Sequence, residues 1–189
     1  MENDFKIIQI EGWHGADERD FESIKKNNFL ESPGELHWLG EGVYFFTHGV
    51  GDTLLHARNW IQSEAFKRKT RRYVVLFAQI NVNDESILDL REASGRDTFD
   101  KHRSFIISKM AKNRTYFNED YRKVDGKVIE HLKRISGYEV VINDFFVQFG
   151  LSRKYQIVSR VPNCTFLCVS NPTENISKDS IKIVEMGNI

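Results

Sequence analysis

The chain is 189 residues long, 40% hydrophobic and 12% aromatic, with 27 basic and 27 acidic side chains and a formal net charge of zero. That length suits one domain, spanning 1–189, with a sizeable core, and the apolar content excludes an intrinsically disordered chain. Balanced charge removes any global pull toward nucleic acid or an anionic membrane, so polyanion binding would need a local patch.

No apolar run approaches the ~20 residues that cross a bilayer, so no membrane partner is expected. The start Met1-Glu2-Asn3-Asp4 is acidic and no apolar signal region follows it, which points to a cytoplasmic protein. Cys164 and Cys168 fall in one expected strand, where ~3.3 Å per residue would hold their Cα atoms ~13 Å apart, beyond disulfide reach. The six His are scattered without metal-ligand spacing, so no metal is expected.

In chain order, Phe5–Ile10 reads as an apolar strand that delivers His14 just past its end, and Glu18–Lys26 as a short amphipathic helix. Ser32-Pro33-Gly34 reads as a turn, Gly42–Thr47 as a strand carrying Tyr44, and Asp52–Lys67 as a helix with Asp52 as N-cap. Tyr73–Val82 is a strand of β-branched and aromatic residues. Helical spacing then marks Thr98–Lys112 and Glu119–Ile135 as an insertion at about 95–136. Four further strands are expected at Tyr138–Val147, Tyr155–Val161, Thr165–Ser170 and Ile181–Glu185.

Two segments stand out. Gly12-Trp13-His14-Gly15 and Leu39-Gly40-Glu41-Gly42-Val43-Tyr44-Phe45-Phe46 each place a hydrogen-bonding or flat aromatic group among glycines. Glycine lets backbone approach a flat ligand, and a Tyr ring offers it a surface, so the two together suggest a slot for something planar and polar. These segments resemble the first two motifs of the diphtheria-toxin and poly(ADP-ribose) polymerase branch of ADP-ribosyltransferases. Ala57 and Trp60 fit the Ala-x-x-Trp spacing that follows the second motif, and Ile87-Leu88-Asp89-Leu90 resembles a turn of bacterial members.

The resemblance implies an α+β fold, a split pair of twisted antiparallel sheets forming an NAD cleft with helices around it. It implies NAD as substrate. His14 would bond the adenosine ribose, Gly15 the nicotinamide carboxamide through its main chain, and Tyr44 would stack on the nicotinamide ring, with Ala57 also in the cofactor site. A neutral imidazole and an unhindered glycine backbone are chemically suited to those roles. Members carry a Glu, or a Gln or Asp, two residues before a stretch like Cys168-Val169-Ser170-Asn171, where this chain has Phe166. Breaking the nicotinamide–ribose bond builds oxocarbenium character that an anion or strong acceptor stabilises. Glu41, Asp144, Asn143 and Gln148 are the substitutes considered from other segments.

Lys67-Arg68-Lys69-Thr70-Arg71-Arg72 packs five cations into six residues. It reads equally as a solvated helix end and as a phosphate-contacting acceptor site through Lys67, Arg68, Arg71 and Arg72, helped by Lys109, Lys112, Arg114, Tyr116 and Phe117. The expected activity is therefore transfer of ADP-ribose to a nucleic-acid or protein acceptor, as a toxin with an antitoxin partner or in anti-phage defence. The competing reading is a non-catalytic NAD- or nucleic-acid-binding module on the same fold.

Overall fold

A computed structural model describes residues 6–31, 38–113 and 121–189. Seven strands form one mixed sheet: β1 (Ile7–Asp17), β2 (Val43–Phe46), β3 (Arg72–Asn83), β4 (Ile87–Asp89), β5 (Val140–Phe145), β6 (Cys164–Val169) and β7 (Ile176–Asn188), in the order β4-β5-β6-β2-β1-β3-β7. All neighbours run antiparallel except β4 and β5, which are parallel. The helices are α1 (Phe21–Asn27), α2 (Thr53–Arg68), α3 (Ala93–Asn113), α4 (Tyr121–Ser136), α5 (Gly150–Lys154) and α6 (Pro172–Asn175). The architecture is α+β, and α3 with α4 forms the helical insertion.

The sheet is continuous yet nearly parted. β1 pairs with β3 along its whole length, from Ile7↔Asn83 to Asp17↔Tyr73, but with β2 only at Trp13↔Phe46. The two expected separate sheets are therefore joined at one register pair. The sheet must also curl. Asp84–Ser86, a single 3₁₀ turn, links β3 to β4, though four strands lie between them in the sheet. On a flat sheet that gap would be ~24 Å at ~4.8 Å per step, whereas so short a link reaches ~14 Å at most. The half β7-β3-β1 therefore folds back toward the half β2-β6-β5-β4.

Period-two alternation sorts the side chains between two cores. The inner one holds Phe45, Leu76, Ala78, Ile80, Ile142 and Leu167, with Phe29 and the α1 residues Phe21 and Ile24 against it. The outer one holds Phe46, Val75, Phe166 and Cys168, covered by Ala57 and Ile61 of α2 and Ile129 and Leu132 of α4. The Asp52 carboxylate caps α2 by accepting from Leu55 N at 3.0 Å. Cys164 and Cys168 are buried and free.

Two expectations differ from the structure. β1 does not stop at Ile10: it continues through His14 to Asp17, because twelve-residue β3 offers it a partner throughout. Tyr155–Val161 is not a strand. β5 and β6 already pair with each other, and this segment only connects them, leaving Val158 and Val161 largely in solvent. β-branched residues form strands where a ladder partner exists, and none is offered here. The turn expected at Ser32-Pro33-Gly34 lies outside the described residues.

Candidate functional site

The site is organised at the β1–β2 joint. Beyond Trp13↔Phe46 no further β1–β2 register pair forms, and the His14 ring bridges the strands instead, with Nδ1 2.8 Å from the Tyr44 carbonyl oxygen. A carbonyl can only accept, so Nδ1 donates and carries the hydrogen, leaving Nε2 as the second ring nitrogen. The ring meets Phe29 and Phe45 edge-on at 5.2 and 5.6 Å, on the inner face. Tyr44 follows the alternation to the outer face. The structure thus joins the two motif residues through one side chain and one backbone oxygen, while their rings sit on opposite faces of the sheet.

Gly15 is packed from the outer side. A Cβ added there would overlap the Ala57 carbonyl oxygen and stand 2.9 Å from Ile61 Cβ, so α2 can lie this close only over glycine. Gly12 is closed likewise by Phe45 and Ile80. Ala57 is fully buried, and its backbone rather than its methyl defines the contact with Gly15. The Glu11 carbonyl accepts from Thr47 Oγ1 at 2.7 Å, which fixes the odd residues of β1 with their main-chain groups toward β2. By the same alternation Gly15 turns its N–H and C=O toward β2, on the side of Tyr44.

The Tyr44 hydroxyl is fixed by the loop before its strand: it accepts from Leu39 N and donates to Gly40 O, both at 2.8 Å. Helix α4 clamps that loop from outside. Glu130 Oε2 accepts from Glu41 N at 2.9 Å, and Lys133 Nζ donates to Glu41 O and lies 3.6 Å from Glu130. Gly40 is left-handed, with φ of 79°. The Cys168 thiol completes the floor with contacts to the Gly40 and Glu41 carbonyls at 3.6 and 3.5 Å. Burial pushes the Tyr44 phenol well above its ordinary range, and it pushes the Cys168 thiol up to about 12. Both stay protonated at neutral pH, so Cys168 is no nucleophile and Tyr44 is a positioned, neutral ring.

Phe166 is the hub of an aromatic cluster. Its ring lies 4.4 Å from Phe46, 5.9 Å from Phe145, 6.0 Å from Trp38, 6.2 Å from Trp60 and 6.3 Å from Tyr44. Register places Tyr44 opposite Cys168 and Phe46 opposite Phe166, so the side chain at 166 faces the same side as Tyr44. A hydrocarbon ring therefore stands, buried, at the position for which the resemblance implies a carboxylate.

The other candidate acceptors are dispersed. Asp144 accepts from Thr165 Oγ1 at 2.6 Å, Gln148 donates to the Ile157 carbonyl at 2.7 Å, and Glu41 is exposed with its main chain held by α4. Asn143, opposite Phe166 in the register, lines a cavity on the outer face. In the basic run, Arg72 pairs with Glu18 at 3.0 Å and Arg71 is exposed, while the side chains of Lys67 and Arg68 lie outside the described residues, as do Arg114, Tyr116 and Phe117. Glu130 and Lys133 had no signal in sequence: nothing in an amphipathic helix ninety residues away marks it as the clamp on the Tyr44 loop.

Among the described residues no helix is long and apolar enough to cross a membrane. No known family profile matches the chain. Over 96 residues it is 29% identical to an uncharacterized protein, MJ0359, of Methanocaldococcus jannaschii, a match that covers 49% of this chain and 42% of the relative. The chain thus spans less than half the length of that similar protein.

Proposed function

We propose that the chain is an NAD-dependent ADP-ribosyltransferase, which releases nicotinamide and passes ADP-ribose to a nucleic-acid or protein acceptor. The observation that carries this reading is the His14 Nδ1 to Tyr44 O bond at the parted β1–β2 joint, which couples the two motif segments. In this reading the ribose hydroxyl bonds Nε2, the ring nitrogen other than the one that meets Tyr44. The Gly15 main chain turns toward the same strand, and a carboxamide, which needs one donor and one acceptor, suits it. In the reaction the bond between the nicotinamide nitrogen and the ribose anomeric carbon breaks, nicotinamide leaves with the electron pair, and the acceptor's nucleophilic atom bonds the anomeric carbon and loses its proton. By analogy with the family that the two motif segments resemble, a toxin neutralised by an antitoxin, or an anti-phage effector, is the biological setting we favour.

Phe166 favours a second reading, in which the same cleft binds NAD or nucleic acid without turnover, since its aromatic cluster offers no charge to an oxocarbenium ion. Incubation with NAD labelled in the adenosine part, together with cellular RNA, DNA and protein, separates the two. Free nicotinamide and a labelled macromolecule are expected. Measured NAD binding without either product would leave the binding module as the answer.

A further inference from the structure

One ring away from Phe166, on the outer face, lies a cavity of about 270 Å³ between β5 and the insertion helices. Trp38, Phe99 and Phe145 give it flat walls, and Asn143, Asp100 and Asp125 bring polar ends to it. Trp38 links it to the site, 5.2 Å from Phe145 and 6.0 Å from Phe166. Arg96, the cation at its rim, is engaged by the carbonyls of Leu90 and Arg91. Among the described residues, the Asn143 carboxamide makes no hydrogen bond, and neither aspartate forms a close ion pair.

We propose that this cavity binds a nucleobase carrying an exocyclic amino group. The lining decides among ligand classes. A phosphate would meet two carboxylates in the lining, where the cation Arg96 is already engaged by backbone carbonyls. A purely apolar ligand would strip water from those carboxylates without replacing their hydrogen bonds. A guanidinium would satisfy the carboxylates, but it has donors only and leaves the Asn143 N–H groups without an acceptor. An amino-bearing base offers N–H donors to Asp100 and Asp125, a ring nitrogen or carbonyl to Asn143, and a π-face to the three rings. Burial holds the Asp125 carboxyl above its ordinary range, against the opposing pull of Arg103. As the acceptor pocket of the transferase the cavity rests on the reading above; as a base-binding cavity it does not.

Calorimetric titration of the full chain with guanosine, cytidine, adenosine and uridine, without NAD, tests the proposal. The three amino nucleosides are expected to bind, uridine at least about tenfold more weakly, since its edge sets carbonyl oxygens against the carboxylates. Phe99→Ala and Asp125→Asn should each weaken guanosine by about tenfold, and His14→Ala should leave it unchanged. Uridine binding equal to guanosine, binding of none of the four, tighter binding of free arginine, or indifference to both cavity variants would each overturn it. Nicotinamide release is a separate readout. Its absence beside intact guanosine binding removes the transferase and leaves the cavity, and the converse result removes only the cavity.

Discussion

The His14 ring donates from Nδ1 to the Tyr44 carbonyl oxygen at 2.8 Å, spanning two strands where their own ladder has lapsed. A side chain that replaces a ladder bond has both a structural and a chemical end, and substitutions can part them. His14→Asn retains an N–H donor close to the backbone, so its stability should fall by less than about 1 kcal/mol, while His14→Ala should lose about 1–3 kcal/mol by removing the donor that meets that carbonyl. Both should lose NAD-dependent labelling, because neither keeps a group at the place of Nε2. Urea denaturation and nicotinamide release measured on the same preparations check the pair; labelling retained by His14→Ala would remove His14 from the ligand site.

Gly15→Ala should destabilise by about 1–3 kcal/mol or more, because the methyl group enters the space of the Ala57 carbonyl and α2 must shift. A denaturation midpoint equal to that of the parent would show that α2 yields freely.

Phe166 contacts five aromatic rings, so Phe166→Ala should cost about 3–5 kcal/mol. Phe166→Glu should be at least as damaging, since it buries a carboxyl among hydrocarbon, and it should not speed nicotinamide release. A folded Phe166→Glu protein that releases nicotinamide faster than the parent would mean that the cluster merely fills the place of a lost acid.

Acid should destabilise the fold through two buried histidines. His56 Nδ1 is buried with no partner among the described residues, and burial lowers the His56 pKa; burial, then the neighbouring His131, lowers that of His102. Both are depressed in the folded state, so the unfolded chain binds the proton more readily. Their contribution is fully present above the ordinary value of ~6.5 and is lost as pH falls through the lower folded values. His56→Phe, which keeps a ring against Phe149, should flatten the fall in melting temperature between about pH 7 and 5 relative to the parent. An unchanged slope would assign the acid sensitivity elsewhere.

Much of the framework was legible in sequence because it depends on local pattern: the alternation of β3, the Asp52 cap of α2, and the shared face of Cys164, Phe166 and Cys168 all follow from period and propensity. What escaped depends on partners distant in sequence. β1 runs to Asp17 because β3 is there to pair with it, and Tyr155–Val161 stays irregular because no strand is. Gly15 reads as room for a ligand, yet its missing Cβ is already used by α2, and its usable edge comes from strand parity. The Glu130–Lys133 clamp and the cavity beside Trp38 exist only once the insertion helices have docked.

The 3₁₀ turn Asp84–Ser86 has a mechanical meaning for the cleft. Because β3 and β4 lie far apart in the sheet but are tied by that turn, the two halves are held at the β1–β2 joint and again where the turn passes from β3 to β4. A clasp fastened at two points opens less readily than one fastened at one. If the proposed ligand binds at the joint, lengthening the turn with a few glycines should loosen that binding without touching any residue there.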